Sequence, residues 1–145
     1  MNKKVFSYVM IIILFVLALN CNPNQMNIDI KESSWGTVYD KEKFNDYLEV
    51  YFSDDKIYYY SNMGLSSSFY KIEEGVFYTK VSESSDFEKK SNIIIKEDSI
   101  YFSDAGDSKL VMFRIKDTVS LKSFVNELID ENSFKKEFNK RLLKW

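Results

Sequence analysis

Apolar and polar residues alternate through the middle of the chain. In Tyr47-Leu-Glu-Val-Tyr-Phe-Ser53, Leu48, Val50 and Phe52 fall on one face of a strand and Tyr47, Glu49 and Tyr51 on the other. Asp54-Asp55 is a two-residue turn, and Lys56 to Ser61 returns. That turn pairs Phe52 with Ile57, Val50 with Tyr59 and Tyr51 with Tyr58. Short polar turns then recur at Glu74-Gly75, Glu97-Asp98 and 104–108. Together with Trp35 to Tyr39, the pattern predicts eight short strands: 35–39, 47–53, 56–61, 69–73, 76–81, 92–96, 99–103 and 109–115. Eight hairpin-linked strands leave no unpaired edge once the sheet closes. The predicted fold is mainly β, an eight-stranded antiparallel up-and-down barrel. The predicted interior is Trp35, Leu48, Val50, Phe52, Ile57, Tyr59, Ile72, Phe77, Ile93, Ile95, Ile100, Phe102 and Phe113. Such an interior is filled by side chains or holds one small ligand.

The period changes after Asp117. Leu121, Phe124, Val125, Leu128 and Ile129 follow an i, i+3, i+4, i+7, i+8 stripe, with Thr118 or Ser120 as cap. Asn132-Ser133 interrupts it, and Phe134, Phe138, Leu142 and Trp145 form a second stripe. These amphipathic helices, residues 118–145, are expected to pack on the barrel wall or close one mouth. The alternative is a docking helix for a partner or membrane surface. Asp40 to Asp46 reads as a short connector.

The other end of the chain is of a different kind. Lys3 and Lys4 precede an apolar run from Val5 to Leu19, which ends at Asn20-Cys21-Asn22-Pro23. This is the layout of a secretory signal, and the run falls short of the roughly 20 apolar residues of a spanning helix. Residues 1–20 are expected to be that signal. Residues 21–34, polar and carrying the only proline, are expected to tether a barrel of residues 35–117. A flexible tether of that length holds a domain roughly 20 Å from its anchor. Cys21 is the only cysteine, so no disulfide can form within the chain.

Composition removes several chemistries. The absence of histidine excludes a Ser-His-Asp triad and histidine-based zinc sites. The four glycines are scattered and form no phosphate loop. The carboxylate pairs Asp54-Asp55, Glu73-Glu74 and Glu97-Asp98 sit at predicted turns, where they serve turn geometry. Asp104 and Asp107 lack the spacing of an EF-hand loop. No enzyme activity, cofactor or metal is expected. The formal charge is −2, and loss of Lys3 and Lys4 would make it −4. The tail is locally basic, with Lys135, Lys136, Lys140, Arg141 and Lys144 against Glu137. That pattern suits a solvated helix face with cations near its C-terminus, and no nucleic-acid partner is expected.

Two resemblances add to this reading. Leu17-Ala18-Leu19-Asn20-Cys21 resembles the lipobox of bacterial lipoproteins, with Asn20 in place of the usual small residue, as in relaxed spirochaete-type lipoboxes. The resemblance implies cleavage before Cys21, a diacylglycerol thioether on its sulfur and fatty acylation (palmitate) of the new amino group. It places the protein in the cell envelope, anchored to a membrane, with the outer membrane favoured. The early Trp35, the run of hairpins, the late pair ending Leu110-Val-Met-Phe-Arg114-Ile and the C-terminal helix resemble a small lipocalin-like (calycin) domain. In that family a first-strand tryptophan stacks on a last-strand arginine to close the barrel base, which here implies Trp35 and Arg114.

Tyr47, Tyr51, Tyr58 and Tyr60 share the outer face of one hairpin. They are either a binding face or packing under the tail. Three functions follow as expectations. The first is non-enzymatic binding of a small apolar ligand or a protein partner. The second is a surface adhesin or host-factor binder built on a solid barrel. The third is an accessory protein of an envelope complex.

Overall fold

Two-residue turns set the register of the sheet. The computed structural model describes residues 30–38, 47–103 and 109–144. Its strands are β1 (Ser33–Val38), β2 (Tyr47–Phe52), β3 (Lys56–Ser61), β4 (Gly64–Glu73), β5 (Val76–Lys80), β6 (Glu88–Lys96), β7 (Ser99–Ser103) and β8 (Lys109–Ile115). Each pairs antiparallel with the next, and β8 pairs with β1, closing the barrel. The predicted eight-stranded up-and-down barrel is thus the observed fold, and a lipocalin-like architecture is consistent with it. Across the Asp54-Asp55 turn, Phe52 lies opposite Ile57, Tyr51 opposite Tyr58 and Val50 opposite Tyr59, as the alternation predicts. At Glu74-Gly75 both residues have positive φ, 51° and 75°. This is the hairpin geometry whose twist matches the flanking strands.

The strands differ from expectation at their ends. β4 starts at Gly64, five residues before the predicted Phe69, and β6 starts at Glu88 rather than Asn92. Both extensions are Ser- and Lys-rich, and their cross-strand partners, not their own propensity, make them strands. β1 begins at Ser33, and Ile30 is buried, so the expected tether of 21–34 ends before the barrel's own Ile30 to Ser34. Cys21, the Asp40–Asp46 connector, Asp104, Asp107 and Trp145 lie outside the described residues.

One core fills the barrel and a second lies outside it. The inner core joins Trp35, Val50, Phe52, Ile57, Tyr70, Phe77, Ile93, Ile100, Phe102 and Met112 with Ile30; Leu48, Tyr59, Ile72, Ile95 and Leu110 pack against it half-buried. Phe113, expected inside, is 42% exposed. A strand alternates, so Phe113 cannot share a side with its neighbour Arg114, which lies over Trp35. Met112 and Leu110 take the interior positions of β8, and Tyr70 takes one on β4.

The outer core packs the tail on β2 and β3. It joins Tyr47, Tyr51, Tyr60, Leu121, Phe134 and Phe138. The tail forms α1 (Leu121–Val125) and α2 (Glu131–Leu142). α1 has Ser120 as its N-cap and ends four residues before the predicted Ile129. Leu128 N–H donates to the Ser123 carbonyl at 2.9 Å and Glu127 N–H to that of Phe124 at 3.0 Å. This pair of bonds, with Glu127 in the left-handed region at φ 56°, is the usual helix stop. α2 starts at Glu131 behind its N-cap Asp130, not after Asn132-Ser133. The Asp130 carboxylate accepts from the Ser133 N–H at 2.9 Å, so Asn132 and Ser133 occupy the first turn.

Candidate functional site

At the base of the barrel, Trp35 is fully buried and sits opposite Val50 on one side and Arg114 on the other. The Arg114 guanidinium carbon lies 5.2 Å from the centre of the Trp35 ring. This is a cation–π contact in the expected place. The Trp35 indole N–H donates to Ser33 Oγ at 2.8 Å, and the Ser33 hydroxyl donates to the Ile30 carbonyl. The indole N–H and the Ser33 hydroxyl of this plug are therefore both directed, and the ring and the guanidinium close the base.

Aromatic rings occupy the space above it. Phe52 meets Tyr70 at 5.2 Å and Phe77 at 6.4 Å, and Phe77 meets Phe102 at 5.4 Å between centroids. These three ring pairs are close to perpendicular, a favoured aromatic geometry. The Tyr70 hydroxyl leaves the apolar layer by donating to the Ser53 carbonyl at 2.8 Å.

The four tyrosines of the β2–β3 hairpin divide into three that are buried and one that is half-buried. Tyr47, Tyr51 and Tyr60 are covered by the chain's own tail, and only Tyr58 keeps substantial exposure. Tyr60 meets Phe134 at 4.8 Å and Phe138 at 4.9 Å, and Tyr47 meets Phe138 at 5.2 Å. Tyr51 stacks on Tyr58 at 5.8 Å and donates to both oxygens of Glu32 at 3.0 Å. The tyrosine face is thus a packing surface, and an exposed binding face at these residues is corrected. The apolar stripes of the tail need a partner, and this wall supplies it.

Under the tail lies an ion pair that the sequence reading does not contain. Glu49, on the outer face of β2, is fully buried, and Arg141 of α2 nearly so. Arg141 Nε donates to Glu49 Oε1 at 2.7 Å. One terminal nitrogen of Arg141 donates to Asp117 Oδ2 at 3.2 Å and to the Val119 carbonyl at 3.0 Å. Glu49 Oε2 and the other terminal nitrogen have no hydrogen-bond partner. Burial pushes the Glu49 carboxyl above its usual range, against the pull of Arg141. Burial works against the charge on Arg141 too, but Glu49 outweighs it and raises the guanidinium further. The signal was legible in principle. Arg141 stands at i+7 from Phe134 and i+3 from Phe138 on the buried stripe, and Glu49 stands between two tyrosines on the covered face.

The same packing fixes Gly36. A Cβ there would stand 2.5 Å from the Tyr47 hydroxyl, so the ring needs a residue without a side chain below it. Burial first, and the nearby Glu49 second, hold the Tyr47 hydroxyl well above the ordinary tyrosine value. A raised folded-state value means stability that is complete below the unfolded value near 10 and lost as pH climbs beyond it. The melting temperature is therefore expected to fall between about pH 9.5 and 11.5. In Tyr47→Phe the fall is shallower, which a calorimetric pH series checks. Tyr51 and Tyr59 are raised too, chiefly by burial, and keep part of the slope.

Comparison of the chain with family models, curated proteins and solved structures finds no match to any of them. The site must be read from its own geometry.

A groove of about 400 Å³ opens where the β3–β4 hairpin meets the tail. Tyr60, Leu65, Phe124 and Phe138 make its apolar floor, and Glu131 and Lys135 its charged rim. Met63 at the hairpin tip is 96% exposed and Leu65 48%. Glu131 and Lys135 pair at 2.8 Å, so the rim is self-neutralised. Among the described residues no group of three or more Asp, Glu, His or Cys is placed to hold a metal ion. No described helix is long and apolar enough to cross a membrane. Asp54, Asp55, Glu74, Glu97 and Asp98 sit at turns, and Glu73 ends β4.

Proposed function

We propose that this chain is a lipid-anchored protein of the bacterial cell envelope that binds a protein partner without catalysis. The observation that carries this reading is the outer groove beside α2. It has an apolar floor and an almost fully exposed methionine at its lip. Adaptable Met and Leu side chains around aromatic rings suit an apolar side chain of a partner. The ring-packed interior counts against the alternative of a small apolar ligand inside the barrel. The anchor rests on the lipobox-like segment at Cys21. Eight residues lie between Cys21 and Ile30, so the end where β1 begins stays within roughly 30 Å of the lipid. That end carries the turns at Asp54-Asp55, Glu74-Gly75 and Glu97-Asp98. The β3–β4 hairpin tip lies at the other end of the barrel. A surface adhesin and an envelope-complex accessory protein both fit this arrangement, and they differ in which partner occupies the groove.

Site-specific photo-crosslinking in intact cells tests the proposal. A photoreactive side chain at Met63 is expected to yield a discrete protein adduct that Leu65→Glu removes. The same group at Ile94, exposed on another wall, is expected to yield none. Lipid-only adducts at Met63, or equal adducts at both positions, would overturn it.

A further inference from the structure

The outer wall over β3, β4 and β5 carries lysines and aromatic rings in strict alternation. Lys56, Phe69 and Lys80 lie directly opposite one another on the three strands. Lys56 Nζ stands 5.0 Å from the centre of the Phe69 ring and Lys80 Nζ 5.3 Å from the same ring. Lys80 also stands 4.9 Å from Phe87, which in turn lies 4.9 Å from Lys71. Lys71 is 5.1 Å from Tyr78, its cross-strand partner. Three ammonium groups are thereby held on ring faces in a row, neighbours no more than about 10 Å apart.

We propose that this row is a binding site for an acidic polysaccharide, recognised by the spacing of its carboxylate or sulfate groups. Lys71 pairs with Glu73 at 2.9 Å, but Lys56 and Lys80 have no carboxylate partner among the described residues. Lys80 instead donates to the Glu83 carbonyl, which leaves its charge uncompensated. The whole chain is net acidic, so an unneutralised cationic row is a local exception. Screening confines what a polyanion senses to about 8–10 Å. Within that range the row presents Lys56, Lys71 and Lys80, with Glu73 paired to Lys71.

The geometry favours a glycan over other polyanions. Single-stranded nucleic acid binds by stacking bases on open ring faces. Here ammonium groups already cover those faces. An anionic bilayer pressed on this wall would also meet Asp54, Asp55, Glu73 and Glu74 at its lower margin. A single linear chain can follow Lys56, Phe69 and Lys80 across the three strands, and it meets Glu73 where Lys71 already pairs that charge. The proposal is independent of the groove and of the lipid anchor.

The test is binding of labelled heparin and labelled polygalacturonate to the purified full-length protein in detergent, read by fluorescence anisotropy. Lys56→Gln/Lys80→Gln is expected to weaken binding of both by about tenfold at moderate salt, since each lost cation removes a counterion-releasing contact. Phe69→Leu keeps every charge but releases the two lysines from their ring, and is expected to weaken binding roughly threefold. Lys135→Gln/Lys140→Gln on α2 removes the same charge elsewhere and is expected to change it less than about twofold. Equal losses in the two double variants, or no loss in Phe69→Leu, would overturn the proposal. So would absence of binding. Tighter binding of poly(dT) or of phosphatidylglycerol bilayer discs than of either glycan would also overturn it. Far-UV circular dichroism of each variant confirms the barrel.

Discussion

Arg141→Met is expected to destabilise the folded chain by about 3–5 kcal/mol, the range for breaking one side of a buried ion pair. The substitution leaves the Glu49 carboxylate fully buried, with its main cation gone. It also frees the Val119 carbonyl and Asp117. Protonation of Glu49 relieves part of the penalty, because burial already pushes that carboxyl upward. The loss in Arg141→Met is therefore expected to shrink as pH is lowered toward the acid range. The double variant Glu49→Leu/Arg141→Met is expected to recover most of the stability, since an apolar pair of similar volume has no desolvation penalty. Urea denaturation of the two single variants and the double variant gives the coupling energy directly. Additive losses would mean that the pair does not hold the tail.

The second large effect is expected at Trp35. Trp35→Ala removes the largest fully buried side chain of the barrel, and is expected to lower stability by about 3–5 kcal/mol. The cavity would lie at the base, where Val50 and Arg114 face the ring from the two neighbouring strands. Two polar groups would also lose their arrangement. Ser33 Oγ loses the indole donor, and Arg114 loses the ring beneath it. Trp35→Phe keeps a ring but not the N–H, and is expected to fall between the two. Thermal melts check the order. A Trp35→Ala loss below about 1 kcal/mol would show that the base collapses onto the cavity without cost.

The register of the hairpins was legible because a strand has a period of two. Once Asp54-Asp55 is taken as the turn, Phe52 must meet Ile57 and Val50 must meet Tyr59, and they do. The same rule should have placed Phe113 outside, because its neighbour Arg114 faces Trp35. Its size and apolarity argued for the core, but parity along β8 overrode them. The Lys–aromatic row was hidden for another reason. Lys56, Phe69 and Lys80 are spread over twenty-five positions of chain, and only the pairing of β3, β4 and β5 brings them together. Glu49 and Arg141 each stand on a stripe that the sequence marks for burial, but only the docking of the tail on β2 brings them together across 92 residues.

Local pattern by itself determined the eight strands, their order and the amphipathic tail. Alternation, turn residues and helical stripes act over a few residues and act the same wherever the chain leads. It also marked Cys21 as the residue to test for lipid. Tertiary structure alone decided that the tyrosine face would be covered, that the lower interior would be ring-packed, and that a carboxylate would be buried against an arginine. Those outcomes depend on which wall the tail meets and how the rings interlock. They are settled by burial and packing between segments distant in the chain, which no local period encodes.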